Sequence, residues 1–166
     1  MKIAILGGTG ALGGGLALRF AHGTAHDVHI GSRDPQRARD AATSYRETLQ
    51  DREATGRIEG SGNLDATAGA DVVVAAVPAE HVANTVEQVT DRLDDDAIVV
   101  SPAVGIDANA DGFDATRPDV GSVTAVAART APDSNPVVGA FHTLAAGRLA
   151  DLDAELAIDT LVVGDD

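Results

Sequence analysis

At 166 residues the chain can form one domain with a substantial core, or one domain and a short appendage. Its 26 acidic side chains against 12 basic ones leave a net charge of −14, which repels nucleic-acid phosphates and argues against a nucleic-acid partner. The absence of cysteine excludes disulfides, thiolate metal sites and a cysteine nucleophile, and the longest apolar run, Asp71 to Ala79, is far too short to span a bilayer.

Apolar residues make up 44% of the chain but aromatic residues only 2%, so the core must be built from small branched side chains, as in a parallel sheet covered by helices. Lys2 to Leu6 is a short apolar run that ends in glycines and reads as a buried strand. Leu12, Leu16 and Phe20 then recur four apart, the stripe of a helix packed on a sheet. Asp27 to Gly31 is a second strand, and Pro35 opens a helix with Ala38, Ala42, Tyr45 and Leu49 on one face. A short third strand is expected near Arg57 to Glu59, with a helical turn near Leu64. Asp71 to Val77 is the clearest strand, stopped by Pro78; Val82, Val86, Val89 and Leu93 mark the helix after it. Ala97 to Val100 is a fifth strand, followed by a loop holding Asp107, Asn109, Asp111 and Gly112. Ser122 caps a short helix through Arg129, Pro136 to Phe141 is a sixth strand, and Ala157 to Val163 reads as one more. Strands alternating with helical stripes predict an α/β, doubly wound, mainly parallel sheet with helices on both faces, in a single domain over 1–166.

Gly8-Thr9-Gly10-Ala11-Leu12-Gly13 fits G-x-G-x-x-G, directly after the first strand and directly before a helix. That context makes the fold Rossmann-type: Gly8 is expected to allow the tight turn, Gly10 the approach of a pyrophosphate, and Gly13 close packing of helix on strand. Gly14 and Gly15 exceed the motif and cost the helix about 1 kcal/mol each. The second strand ends Gly31-Ser32-Arg33, with Arg37 one turn into the next helix. A site for NAD carries Asp or Glu at this point, and Asp34 comes too late for that role. A hydroxyl and two guanidinium groups suit instead the 2′-phosphate of NADP, which guanidinium binds through paired hydrogen bonds.

Val77-Pro78 and Ser101-Pro102-Ala103-Val104 close two strands at the carboxyl edge, where ligands bind in this architecture. Their small residues suit the floor beneath a nicotinamide ring, and serve equally as core termini. His81 stands within reach of a cofactor or simply exposed. His142, in Phe141-His142-Thr143-Leu144-Ala145-Ala146, leaves the sixth strand on the same edge. The spacing of His22, His26 and His29 fits no metal pattern, so no metal site is expected.

At these residues the chain resembles the NADPH-dependent reductases of the deazaflavin coenzyme F420. The matching pieces are M-K-I-A-I-L-G-G-T-G-A-L-G-G-G-L-A-L-R at the start, I-G-S-R from Ile30, V-V-S-P from Val99, F-H-T-L-A-A-G-R-L-A-D-L from Phe141, and V-V-G-D-D at the end. The resemblance implies NADP(H) contacts by Thr9, Gly10, Ala11 and Leu12 at the pyrophosphate and by Ser32, Arg33 and Arg37 at the 2′-phosphate. It implies further contacts from Val77, His81, Val104 and Ala146 around the nicotinamide, with His142 and Leu144 beside the deazaflavin and His142 as the catalytic candidate. Hydride then passes between nicotinamide C4 and deazaflavin C5, and the protein supplies distance and orientation. Members of that family continue for roughly another quarter of this length, through a helical section that helps to cover the deazaflavin and to form a homodimer.

A short-chain reductase would need Tyr and Lys four apart, and the only such residues are Tyr45 and Lys2. The rival from another class is a non-catalytic, redox-sensing NADP(H)-binding module. Asp far outnumbers Glu and Lys2 is the only lysine, an imbalance that keeps proteins soluble in concentrated salt and predicts a salt-loving source. With no basic segment or cleavage-like signal before the first strand, the expected location is cytoplasmic.

Overall fold

The computed structural model describes residues 1–52, 54–110 and 112–164. One sheet organises the chain. Its parallel strands are β1 (Lys2–Leu6), β2 (Asp27–Ser32), β3 (Arg57–Gly62), β4 (Val72–Ala75), β5 (Ile98–Ser101) and β8 (Val137–Gly139), and β9 (Val163–Gly164) closes one edge antiparallel. The order β3-β2-β1-β4-β5-β8-β9 reverses between β1 and β4, which opens a crevice at the carboxyl ends of those strands.

Side chains alternate across the strands, and the two faces bury different helices. Ile3, Ile5, Val74 and Val100 pack with Leu16 and Ala17 of α1 (Ala11–Gly23), Ala42 and Leu49 of α2 (Pro35–Leu49), and Leu149 of α6 (Ala146–Ala150). On the other face Ala75 and Val99 pack with Val82 and Val86 of α4 (Val82–Glu87) and with Val123 and Ala127 of α5 (Val123–Thr130). Ala4, Leu6 and Val73 meet Ala70 and Val89 beside them. A short helix α3 (Asn63–Thr67) leads from β3 to this face. No helix among the described residues is long and apolar enough to cross a membrane.

Three expected elements differ from what forms. The stretch Val82 to Leu93 is not one helix: α4 stops at Glu87 and a 3-10 turn covers Thr90–Arg92. Val82, Val86 and Val89 stay buried, so burial of the stripe survives the break that its periodicity could not foretell. The expected loop after β5 is a hairpin, β6 (Ile106–Asn109) against β7 (Gly112–Ala115); Asp111 lies outside the described residues. Ile106 and Phe113 on it are exposed, so no core-facing pattern marked it in the sequence. The expected strand Ala157 to Val163 shrinks to Val163–Gly164, which pairs antiparallel with Gly139 and Val138 of β8.

The segment after α6 is held by cations. Arg19 donates from Nε to Leu149 O at 3.0 Å, and from Nη2 to Arg148 O at 3.0 Å, Ala154 O at 3.1 Å and Asp151 O. Arg52 forks onto both carboxylate oxygens of Asp153, at 2.7 and 3.1 Å. Arg19→Ala should lower the unfolding free energy by about 1.5–3 kcal/mol, with only partial recovery in Arg19→Lys, whose ammonium cannot reproduce the fork. Chemical denaturation checks this, and an unaltered midpoint in Arg19→Ala would contradict it.

His29, half-buried in β2, has its pKa lowered by burial and by Lys2, with Glu59 and Asp27 acting against them. A base depressed in the folded state takes up a proton more readily when unfolded, so its contribution is present above about pH 6.5 and lost as the pH falls. Stability should therefore decline from pH 7 to pH 5, and His29→Gln should flatten that decline in thermal melts recorded across the range.

Candidate functional site

The chain leaves β1 through Gly7, whose φ of +81° makes the left-handed turn expected of Gly8. Gly8 serves close approach instead: a Cβ there would stand 2.5 Å from Ile30 Cβ. A Cβ on Gly13 would stand 2.6 Å from Gly7 O, so α1 starts almost in contact with the loop. Gly7 O accepts from Gly10 N at 2.9 Å and Gly10 O from Gly14 N at 2.8 Å. Among the described residues nothing accepts from the amides of Thr9, Ala11 or Leu12, and these unpaired N–H groups at a helix start form an anion-binding end.

A cleft of about 320 Å³ lies where the strand order reverses, lined by Thr9, Gly10, Ser32, Arg33, Arg37, Val77 and His81. Seven of the sequence-predicted residues thus come together from three separate stretches. Asp34 is occupied as the cap of α2, accepting from Gln36 N at 2.9 Å and Arg37 N at 3.3 Å, while its own amide donates to Ser32 Oγ at 3.1 Å. Among the described residues no carboxylate lies within ion-pairing range of Arg33 or Arg37. In so acidic a chain, two exposed guanidinium groups without partners make this the local positive spot.

Asn63, Asn84 and Thr85 also line the cleft and were not foreseen. Asn63 follows directly after Gly62, the residue paired with Ser32, so strand register could have pointed to it. Its buried Oδ1 has no hydrogen-bond partner among the described residues. Asn84 and Thr85 stand one turn beyond His81.

Val104 and His142 line a second hollow of about 580 Å³ on the same edge, between the chain after β5, the start of α5 and β8–β9. Phe141 takes a left-handed φ of +68°, unusual for a side chain this large, and packs edge-on against Phe20 at 6.1 Å. His142 lies over Gly139, where a Cβ would stand 2.8 Å from the imidazole Cε1. Leu144 packs on the core beside α1 and Ala146 begins α6, so neither lines either hollow, nor do Ala11 and Leu12.

The family model for NADP oxidoreductase, coenzyme F420-dependent, matches residues 2–105. The chain belongs to this family. It is 40% identical to the F420-dependent NADP reductase of Methanocaldococcus jannaschii, over the whole of this chain and 74% of that protein. It is 36% identical to the reductase of the same name from Methanothermobacter thermautotrophicus, over 99% of this chain and 71% of that one. Among solved structures, one from Arthrobacter sp. FB24 assigned to F420-dependent NADP-reductases covers the whole chain, and 74% of its own, with a TM-score of 0.74 at 26% identity. Malate dehydrogenase from Salinibacter ruber covers 84% of this chain and 44% of its own, with a TM-score of 0.64 at 19% identity, and shares the fold.

The glycines of this family member predict separable effects. A Cβ on Gly10 meets nothing closer than Gly7 O at 3.3 Å, on a backbone any residue adopts. Gly10→Ala should fold like the parent yet lose about tenfold or more in NADPH affinity. Gly13→Ala should lose about 1–3 kcal/mol of stability through overpacking. Thermal melts beside NADPH titrations check both; equal melting losses in the two variants would contradict the assignment.

Proposed function

We propose that this chain is an oxidoreductase that carries hydride between NADP(H) and the deazaflavin coenzyme F420. One observation carries the reading: Arg33, just after β2, and Arg37, in the first turn of α2, have no ion-pair partner among the described residues and share a cleft with the glycine loop, where the amides of Thr9, Ala11 and Leu12 find no acceptor among those residues. That pairing fits a dinucleotide with an additional phosphate. The Thr9, Gly10, Ala11 and Leu12 backbone would hold the diphosphate, and Ser32, Arg33 and Arg37 the 2′-phosphate. Val77, His81, Val104 and Ala146 would surround the nicotinamide, with His142 and Leu144 toward the deazaflavin. When bound, NADPH supplies a hydride that F420 accepts; the protein's own part is to hold the two rings in register and keep water from between them. In this reading the chain is a single domain and resides in a salt-rich cytoplasm. The net charge of −14 and the single lysine support the last point.

Mixing the chain with NADPH and oxidised F420 and following the deazaflavin absorbance tests the reaction. Bleaching supports it, whereas tight NADPH binding without turnover would favour a redox-sensing module. Arg33→Ala should weaken NADPH binding by about 1.5–3 kcal/mol and leave NADH nearly unchanged; equal losses for both would remove the 2′-phosphate assignment.

A further inference from the structure

Tyr45 is the only tyrosine in the chain, and the reading above leaves it without a task. It sits on α2 two turns beyond Arg37, partly buried, and its hydroxyl donates to Gly8 O at 3.1 Å. The ring gets there across Gly14: a Cβ on that glycine would overlap the hydroxyl and stand 2.8 Å from Cζ. A residue that weakens α1 is therefore the space through which α2 touches the glycine loop. Gly8 N donates in turn to Ile5 O at 3.1 Å, so this residue is held at both its amide and its carbonyl.

A trans peptide is planar, and its C=O and N–H point in opposite directions. With the Gly8 oxygen held toward Tyr45, the Thr9 N–H of the same peptide is turned the other way. Thr9 lines the cleft, and among the described residues its amide has no acceptor. We infer that Tyr45 is a positioning residue that fixes the Gly8–Thr9 peptide so that the Thr9 amide is presented to the dinucleotide's diphosphate. The same contact ties the phosphate loop to the helix that carries Arg37. Burial raises the phenol's pKa, against a smaller opposing effect of Arg37, so the hydroxyl keeps the proton it donates. The inference rests on the NADP reading.

Tyr45→Phe keeps the ring over Gly14 and removes only the hydroxyl. NADPH and NADH are titrated into the full chain well below its melting temperature. Both affinities should fall by about five- to tenfold, with their ratio held within about twofold of the parent's, because the diphosphate is common to the two. Arg33→Ala should instead shift that ratio. Gly14→Ala, which crowds the hydroxyl, should weaken binding too, and its effect should shrink in the Tyr45→Phe background because both act through one contact. The inference is overturned if Tyr45→Phe binds both dinucleotides as the parent does, even with a lowered melting point, or if its loss is confined to NADPH. A parent chain without NADPH affinity would sink the cofactor reading and this one with it; a binding parent with an unaltered variant sinks this one alone.

Discussion

Helix α1 carries three consecutive glycines, Gly13 to Gly15, in its first two turns, each pressed by a different part of the molecule. Gly13 meets the carbonyl of Gly7 at the end of β1, Gly14 meets the phenol of Tyr45 from α2, and Gly15 would place a Cβ 2.6 Å from Leu149 Cβ of α6. Together they cost the isolated helix about 3 kcal/mol relative to alanine. Close packing on three sides offsets this, since a bare backbone lets neighbours approach to distances that a methyl group forbids. The amides of the cleft are aimed where they are because this helix start cannot move without disturbing a strand and two helices.

The placement of cations follows a related economy. Arg19 and Arg46 put guanidinium groups on backbone carbonyls, Arg46 on Ile58 O at 2.8 Å, while Arg52 forks onto Asp153. Arg19 and Arg46 thereby tie α1 and α2 to backbone oxygens of neighbouring segments, and Arg52 joins an exposed carboxylate. Arg33 and Arg37 differ in that the cap residue nearest them, Asp34, is already committed to the start of α2. With that carboxylate turned to the helix start, Arg33 and Arg37 line the cleft without an ion-pair partner among the described residues.

On the other half of the edge, a backbone conformation unusual for phenylalanine turns the chain out of β8. Contact of Phe141 with Phe20 and the absence of a side chain at Gly139 together seat His142 beside the second hollow. Such a conformation persists only where its surroundings hold it. Here α1 supplies one of those surroundings, which links the glycine-loop end and the histidine end of the edge through one helix.

Much of the architecture could be read from residues alone, because strand burial and helix stripes are local periodicities: Lys2–Leu6, Pro35–Leu49 and the Ser122 cap lie where hydrophobic spacing and capping chemistry put them. The glycine motif and the Ser32-Arg33-Arg37 group were likewise visible, since both sit at sequence positions tied to strand ends. What depends on long-range approach was not. Which glycine takes the left-handed turn, why Gly14 and Gly15 are glycine, what Tyr45 and Arg19 touch, and that Asn63 joins the cleft are all set by atoms 31 or more positions apart or by strand register. Periodicity reports on a residue's own element; only packing decides which distant side chain fills the space a missing one leaves.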